Sequence, residues 1–314
     1  MIVKMPDTDI ILKKVLLDRI MAKKERLDSE RPLPKDALER LRQEIRLAHT
    51  YHSNAIEGST LSLQETKLIL EEGVTIGGKT LREHLEATGN ADAFDLIEEL
   101  ARRKKDIDHG VVQEIHGMVT RGQLMDSGKY RTHNVRITGA KKNPPDFSKL
   151  VPLMDRLLGD IRKMKGPEMI VAALLHYRFV EIHPFSDGNG RVARLLSNLY
   201  LMRAGFPPIV LKKEDRKRYY QCLNKADGGN TGPFVNFVAK AVDEGLTLYL
   251  SIFGGKDELV PLRELATGTP YSQEYLSLRA RQGAIDAIKM GKVWHSTRRA
   301  LEEYIGAHRQ GDRG

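Results

Sequence analysis

The side chains best suited to chemistry fall in one twelve-residue stretch, His183-Pro-Phe-Ser-Asp-Gly-Asn-Gly-Arg191-Val-Ala-Arg194. Gly188 and Gly190 leave the backbone free to take positive φ and to approach a ligand closely. Helical spacing resumes near Asn189, so the unpaired N–H groups and dipole of a helix start face that turn and favour an anion. Arg191 and Arg194 are three apart, on one helix face, where two guanidiniums can pair with phosphate oxygens, often bidentately. Asp187 would repel a bare phosphate but suits a Mg²⁺ ion that bridges phosphate oxygens. His183 can take a proton from an attacking hydroxyl near neutral pH. A base, a metal ligand, an anion cradle and a cationic clamp together suit phosphoryl or nucleotidyl transfer.

Other readings of the stretch stay open at this point. Gly188-x-Gly190-x-x-Ala193 formally fits a dinucleotide fingerprint, but that motif follows a β-strand, and residues 173–180 look helical. A P-loop needs Gly-Lys-Ser/Thr, which is absent. The plain structural reading is a helix cap with two surface arginines. His176 and His183, like His109 and His116, are seven apart, whereas metal pairs more often sit four apart. His176 therefore reads as a packed helix residue, and Cys222 as a small buried hydrophobe.

The elements around this stretch are mostly helical. Pro34 to Tyr51 reads as one amphipathic helix running toward Ser53-Asn-Ala-Ile-Glu57-Gly58, with Gly58 as its stop. Residues 10–31, 61–72, 80–104, 108–120, 148–164, 167–182, 189–204, 214–226 and 233–250 also carry helical spacing. Between them, 128–147 (GKYRTHNVRITGAKKNPPDF) alternates and turns at Gly139 and Pro144-Pro145, which predicts a short β-hairpin. Gly254-Gly255 is the best linker candidate. The expected division is an N-terminal helical region over 1–107, a core over 108–252 and a small domain over 257–308.

Composition narrows the setting. The chain has 314 residues, a net charge of +9 and a single cysteine. That rules out an internal disulfide and a cysteine metal cluster. No run approaches the ~20 apolar residues of a membrane span, and MIVKMPDTDIILKK does not read as a signal peptide. The expectation is a cytoplasmic protein with no membrane partner. The charge suggests anionic partners without choosing among nucleotide, nucleic acid and acidic protein. It is local: 279–299 holds six bases and one acid, while the tail from Asp257 holds nine bases and eight acids.

The stretch HPFSDGNGRVAR resembles the signature of Fic-domain proteins, H-x-F-x-D/E-G-N-G-R-x-x-R, with every specified position filled. Tyr219-Tyr220-x-x-Leu223-x-x-Ala226, followed by Pro233-Phe234, resembles the region after that motif. The likeness covers about residues 40–250. It implies a mainly α fold, a Fic-type helical bundle with a β-hairpin flap on which a target strand pairs. It also implies transfer of AMP from Mg-ATP to a Ser, Thr or Tyr hydroxyl of a protein, the chain itself included. His183 is then the base, Asp187 the Mg²⁺ ligand, and Gly188 to Gly190 the anion hole with Asn189 on the α-phosphate. Arg191 and Arg194 take the β- and γ-phosphates, and Phe185 packs the loop. Tyr219 and Tyr220 fall where the family contacts adenine, and Asp227 stands where relatives often have Asn.

Ser53-Asn-Ala-Ile-Glu57-Gly58 resembles the family's inhibitory motif, S/T-x-x-x-E-G/N. The likeness implies that Glu57 pairs with Arg194 and denies the γ-phosphate its clamp. Two readings compete with AMP addition: removal of AMP by water activated at Glu57, and a DNA-binding regulator whose Fic domain only senses nucleotide. Transfer of UMP or a phosphoryl group is a third. Residues 257–308 resemble the winged helix-turn-helix of excisionase- and MerR-like proteins, with Trp294 as core. Arg279, Arg281, Lys289, Lys292, Arg298 and Arg299 there suit DNA phosphates or a solvated face that docks protein. A homodimer and the identity of the target stay open.

Overall fold

The computed structural model describes residues 2–5, 8–137 and 142–311. Strands β1 (Ile2–Met5) and β2 (Thr8–Ile11) come first. Helices α1 (Lys14–Ser29), α2 (Lys35–Glu57), α3 (Leu63–Glu72), α4 (Leu81–Arg102) and α5 (His109–Val119) follow. Next are α6 (Leu150–Lys163), α7 (Glu168–Ile182), α8 (Asn189–Arg203), α9 (Arg216–Asp227) and α10 (Gly232–Ser251). The chain ends with β3 (Val260–Pro261), α11 (Leu262–Ala266), α12 (Gln273–Gln282), β4 (Ala287–Met290), β5 (Val293–Ser296) and α13 (Arg298–Gly311). Packing divides the chain into two units, Met1–Met21 with Arg42–Asp243, and Ala22–Leu41 with Glu244–Gly314. No helix among the described residues is long and apolar enough to cross a membrane.

In the first unit α7 is the central rod. Met169 to Leu175 are all buried, which suits a helix apolar on every side. Helix α8 packs along it, with Ser197 donating to the Ala172 carbonyl at 3.1 Å, and buries Val192, Leu195, Leu196 and Leu199. Fully burying each such side chain stabilises by about 1.5–3 kcal/mol. Helix α4 lies on α8 and α5. It approaches α5 so closely that a Cβ on Gly89 would stand 2.5 Å from the Met118 carbonyl oxygen. A capping box starts α4: the Thr80 side chain accepts from Glu83 N–H and the Glu83 carboxylate accepts from Thr80 N–H. The same carboxylate accepts from the Thr60 N–H at 2.8 Å, which ties the chain just beyond α2 to the head of α4. Arg46 pairs with Asp95 at 2.9 Å and fixes α2 against α4. Helix α2 ends at Glu57 and Gly58 takes φ 110°, so the glycine stops it as expected.

Two segments differ from the sequence expectation. Helical spacing was expected from residue 10, yet β1 pairs antiparallel with β2, Ile2 opposite Ile11. Val3, Ile10 and Ile11 are β-branched and Pro6-Asp7 is a turn signal between them, a short pattern that longer helical spacing masks. Residues 128–147 form no strand ladder among their described residues, and the turn expected at Gly139 lies outside them. Side chains join the two flanks instead. Asn134 donates to Asp146 at 2.8 Å and accepts from the Phe147 N–H at 3.0 Å. Pro144 and Pro145 have no N–H to give a ladder.

The second unit holds a three-stranded antiparallel sheet, order β3-β5-β4. Leu262 and Leu265 of α11, Leu276 of α12, Ile285, and Leu301 and Tyr304 of α13 form its core, with Trp294 packed against them. Ser272 caps α12 by accepting from the Tyr275 N–H, and Gly283 ends it in the left-handed region. Tyr275 and Tyr304 share a hydrogen bond of 2.8 Å.

Candidate active site

The loop from α7 to α8 is built around a strained residue. His183 takes φ 52° and ψ 61°, left-handed geometry that costs a non-glycine residue on the order of 1–3 kcal/mol. Its surroundings hold it there. Its N–H donates to Phe179 O at 3.0 Å, and its carbonyl accepts from Arg131 Nε at 2.9 Å. Phe185 is fully buried and stacks on the His116 ring, centroids 3.6 Å apart. The Gly128 N–H donates to His116 Nδ1 at 2.9 Å, so Nε2 carries the proton and donates to the Asp187 carbonyl at 3.1 Å. Burial depresses the His116 pKa to about 4, which keeps the ring neutral. Gly188 takes φ 78°, and a Cβ there would come within 3.0 Å of Thr120 Cγ2, so two independent constraints require glycine.

Asn189 locks the loop from inside. It is 2 % exposed. Its Oδ1 accepts from the Phe185 N–H at 3.0 Å and its Nδ2 donates to the Phe185 carbonyl at 2.9 Å. The Asn189 side chain is therefore spent on the loop, and what Asn189 has free for a ligand is its main-chain N–H at the head of α8. Those of Gly190 and Arg191 follow it.

The reactive groups converge on that helix start. His183 Nδ1 donates to the Val180 carbonyl at 3.3 Å, leaving Nε2 as the basic face. Burial lowers its pKa, and the nearby Arg131 charge lowers it further. Asp187 accepts from the Gly188 N–H and from Arg82 Nη2, each at 2.6 Å. Burial alone would raise its pKa, but Arg191, the Gly188 N–H and Arg82 hold it below the ordinary value, so it is a carboxylate. Arg191 is buried, its Nη1 3.3 Å from Glu86 and its Nη2 3.8 Å from Asp187. Its Nε and Nη1 make no hydrogen bond among the described residues. Arg194 is 3 % exposed. Its Nε donates to Ser53 Oγ at 2.8 Å and its Nη2 to Ser53 O at 2.9 Å and Glu57 Oε1 at 2.7 Å. Its Nη1 makes no hydrogen bond among the described residues. The Glu57 carboxylate lies against Gly190, where any Cβ would collide with it.

A cleft of about 370 Å³ opens beside this centre, lined by Tyr177, Glu181, Lys142, Arg216, Tyr220 and Asp227 among others. The two tyrosines part company here. Tyr220 faces the cleft, under the Arg216 guanidinium 5.1 Å from its ring. Tyr219 is buried beneath Arg194, 6.0 Å from its guanidinium, with its hydroxyl 3.3 Å from His176 Nε2. Burial and the neighbouring Glu181 charge raise the Asp227 pKa. His176 is fully buried and Cys222 is buried.

The structure brings His183, Asp187, Gly188, Asn189, Gly190, Arg191, Arg194, Ser53 and Glu57 to one centre, with Tyr220 and Asp227 beside it. Arg131, His116 and Arg82 also belong there and were not read from the sequence. Nothing marks them locally: each reaches the loop from 50 or more residues away.

A model of the Fic/DOC family matches residues 106–201. A protein adenylyltransferase Fic of Nematostella vectensis is 37% identical over 247 residues, 76% of this chain and 57% of that protein. The chain thus spans about half the length of the curated relatives it matches, 57% and 53% for two of them. Among solved structures, Fic-1 from C. elegans is 31% identical with a TM-score of 0.67, covering 76% of this chain and 71% of that one. A Fic domain containing signaling protein from Bacteroides thetaiotaomicron is 28% identical with a TM-score of 0.69, covering 76% and 97%. With motif, fold and relatives in agreement, the chain belongs to the Fic/DOC family.

Proposed function

We propose that this chain moves AMP from ATP to a hydroxyl of a protein, and that its own helix α2 holds the reaction back. The hydroxyl oxygen attacks the α-phosphorus. The bond to the bridging oxygen of pyrophosphate breaks, and the hydroxyl proton goes to His183 Nε2. The lowered His183 pKa supports a neutral, ready base. The N–H groups at the head of α8 would receive the charge on the α-phosphate. The unsatisfied nitrogens of Arg191 and Arg194 suit the β- and γ-phosphates, since a buried donor without a partner costs about 1–3 kcal/mol until an anion arrives. Tyr220 and Asp227 suit the base. Tyr219 supports Arg194 from below.

Asp187 fits a Mg²⁺ ion carried largely by phosphate and water. It is ionised, and no cluster of three or more His, Cys, Asp or Glu that could cage a metal occurs among the described residues. When bound, the ion would neutralise phosphate charge. Arg82 must then leave the Asp187 oxygen it occupies.

The observation that carries the reading is the Glu57–Arg194 pair. With Glu57 on Arg194 and against Gly190, the γ end of ATP loses its clamp and meets a negative charge. ATP is then held out of line for attack. Glu57→Gly should raise self-labelling by ATP carrying a radiolabelled α-phosphate. No rise, with ATP still bound, would sink the inhibition. Loss of label during a chase by wild type alone would favour AMP removal by a water oriented at Glu57.

A second reading concerns residues 257–308, as a winged-helix module that meets duplex DNA. Helix α12 carries Arg279 and Arg281, strand β4 carries Lys289, and the β4–β5 turn carries Lys292. Arg299 is committed to Asp257 at 2.9 Å. A salt-dependent mobility shift of duplex DNA by the whole chain tests it. No shift at low salt favours a protein-docking role.

A further inference from the structure

Arg131 lies in no motif, yet it holds two successive carbonyls of the catalytic loop, those of His183 and Pro184. Its side chain is buried, 2 % exposed. Nε donates to the His183 carbonyl at 2.9 Å, Nη1 to the His133 carbonyl at 2.8 Å and Nη2 to the Pro145 carbonyl at 2.7 Å. Its own N–H donates to the Pro184 carbonyl at 2.9 Å. Among the described residues no carboxylate ion-pairs with it. Burying a cation on neutral carbonyls is costly, so a residue kept in this state does something an apolar one would not.

We propose that Arg131 is the positioning residue of this site. One planar fork sets the main chain of His183, whose left-handed geometry is otherwise unfavourable. The same fork fixes the spacing of His133 and Pro145, the two flanks of the segment beside the catalytic loop. A lysine has the charge but cannot point three donors in one plane. Position of the base and position of those flanks are therefore coupled through one guanidinium. The inference rests on the AMP-transfer reading for its kinetics but not for its titration. The charged groups facing His183 are Arg131, Glu57 from α2 and Asp187 from the loop.

The test uses Arg131→Lys and Arg131→Gln, each in the Glu57→Gly chain. Two quantities are read: the kcat and KM for labelling by α-radiolabelled ATP, and the His183 pKa by NMR titration of its ring. Arg131→Lys should lose about tenfold or more in kcat, as a displaced base does, with KM for ATP within about twofold and the His183 pKa unchanged. Arg131→Gln should lose at least as much, and its His183 pKa should rise because a positive charge has gone. If the Gln variant does not fold, the Lys variant decides alone. Retained kcat in Arg131→Lys, or a loss confined to KM, overturns the proposal. So does an unchanged His183 pKa in a folded Arg131→Gln chain. A Glu57→Gly parent that transfers no label defeats the functional reading instead, and the titration still judges Arg131.

Discussion

Glu57 and Arg194 meet at 2.7 Å, and the same guanidinium nitrogen also donates to the carbonyl of Ser53, one turn back on α2. The arginine is thereby held by two successive turns of one helix. Taking one partner from a buried ion pair costs about 3–5 kcal/mol because the other is left stranded. Glu57 is one-third exposed, so this is an upper bound here. A γ-phosphate removes the penalty by replacing Glu57, which makes ATP and α2 competitors for a single side chain.

Ser53→Ala tests the shared hold. It deletes the 2.8 Å bond from Arg194 Nε and leaves the Glu57 pair. A hydrogen bond to a charged group is worth about 1.5–3 kcal/mol, so self-labelling should rise several-fold but stay below that of Glu57→Gly. Labelling no higher than wild type would show that the serine takes no part in the restraint.

The pH profile of transfer reports on His183. Its base form is the neutral ring, so the rate rises with pH through its pKa and then levels. Burial places that pKa below the ordinary value of about 6.5. Because the Glu57 charge raises it, Glu57→Gly should move the acid limb lower still. A limb centred above about 6.5 in the Glu57→Gly chain would contradict this environment.

Arg82 bears on the metal. It is 60% exposed and sits 2.6 Å from the Asp187 oxygen that a metal would need. Such an exposed pair is worth no more than about 1 kcal/mol. Arg82→Gln should therefore lower the Mg²⁺ concentration for half-maximal labelling, and tighten Mn²⁺ binding to the ATP-analogue complex, by up to about fivefold. An unchanged or higher metal requirement would mean that Arg82 does not compete.

Acid should destabilise the first unit. His49 and His176 are buried with pKa values lowered to about 3, and His116 to about 4, in each case mainly by desolvation. Unfolded, each titrates near 6.5. Below that pH the unfolded chain binds protons the folded one refuses, so stability is full above it and falls as pH drops toward 4. The contribution is on the order of 1–3 kcal/mol per ring by pH 4. Thermal midpoints taken from pH 7 to pH 4 should fall steeply. A flat profile would mean that these rings are protonated when folded.

Much of the site was legible because it is local. His183 to Arg194 is one loop and one helix turn, so spacing groups those side chains, and Ser53 to Glu57 is one turn of another helix, whose meeting with Arg194 across the chain came from the resemblance to the inhibitory motif. What stayed hidden acts across the chain. Arg131, His116 and Arg82 hold the loop through its carbonyls and one carboxylate, and a contact with main chain leaves no mark on the residue type contacted. Asn189 and Tyr219 show the converse: the motif names the residue, but only packing reveals that the first locks the loop and the second props Arg194. The fold read well where periodicity was long, as in α2 and α7. It read poorly at β1–β2, four residues each, and at 128–147, where side chains rather than a ladder join the flanks.

The most direct test of a complete but obstructed site is one labelling experiment with α-radiolabelled ATP on three chains: wild type, Glu57→Gly, and Glu57→Gly with His183→Ala. Label should be weak in the first, strong in the second and absent in the third, with ATP bound by all. Equal label in the first two, or label that survives the loss of His183, would contradict it.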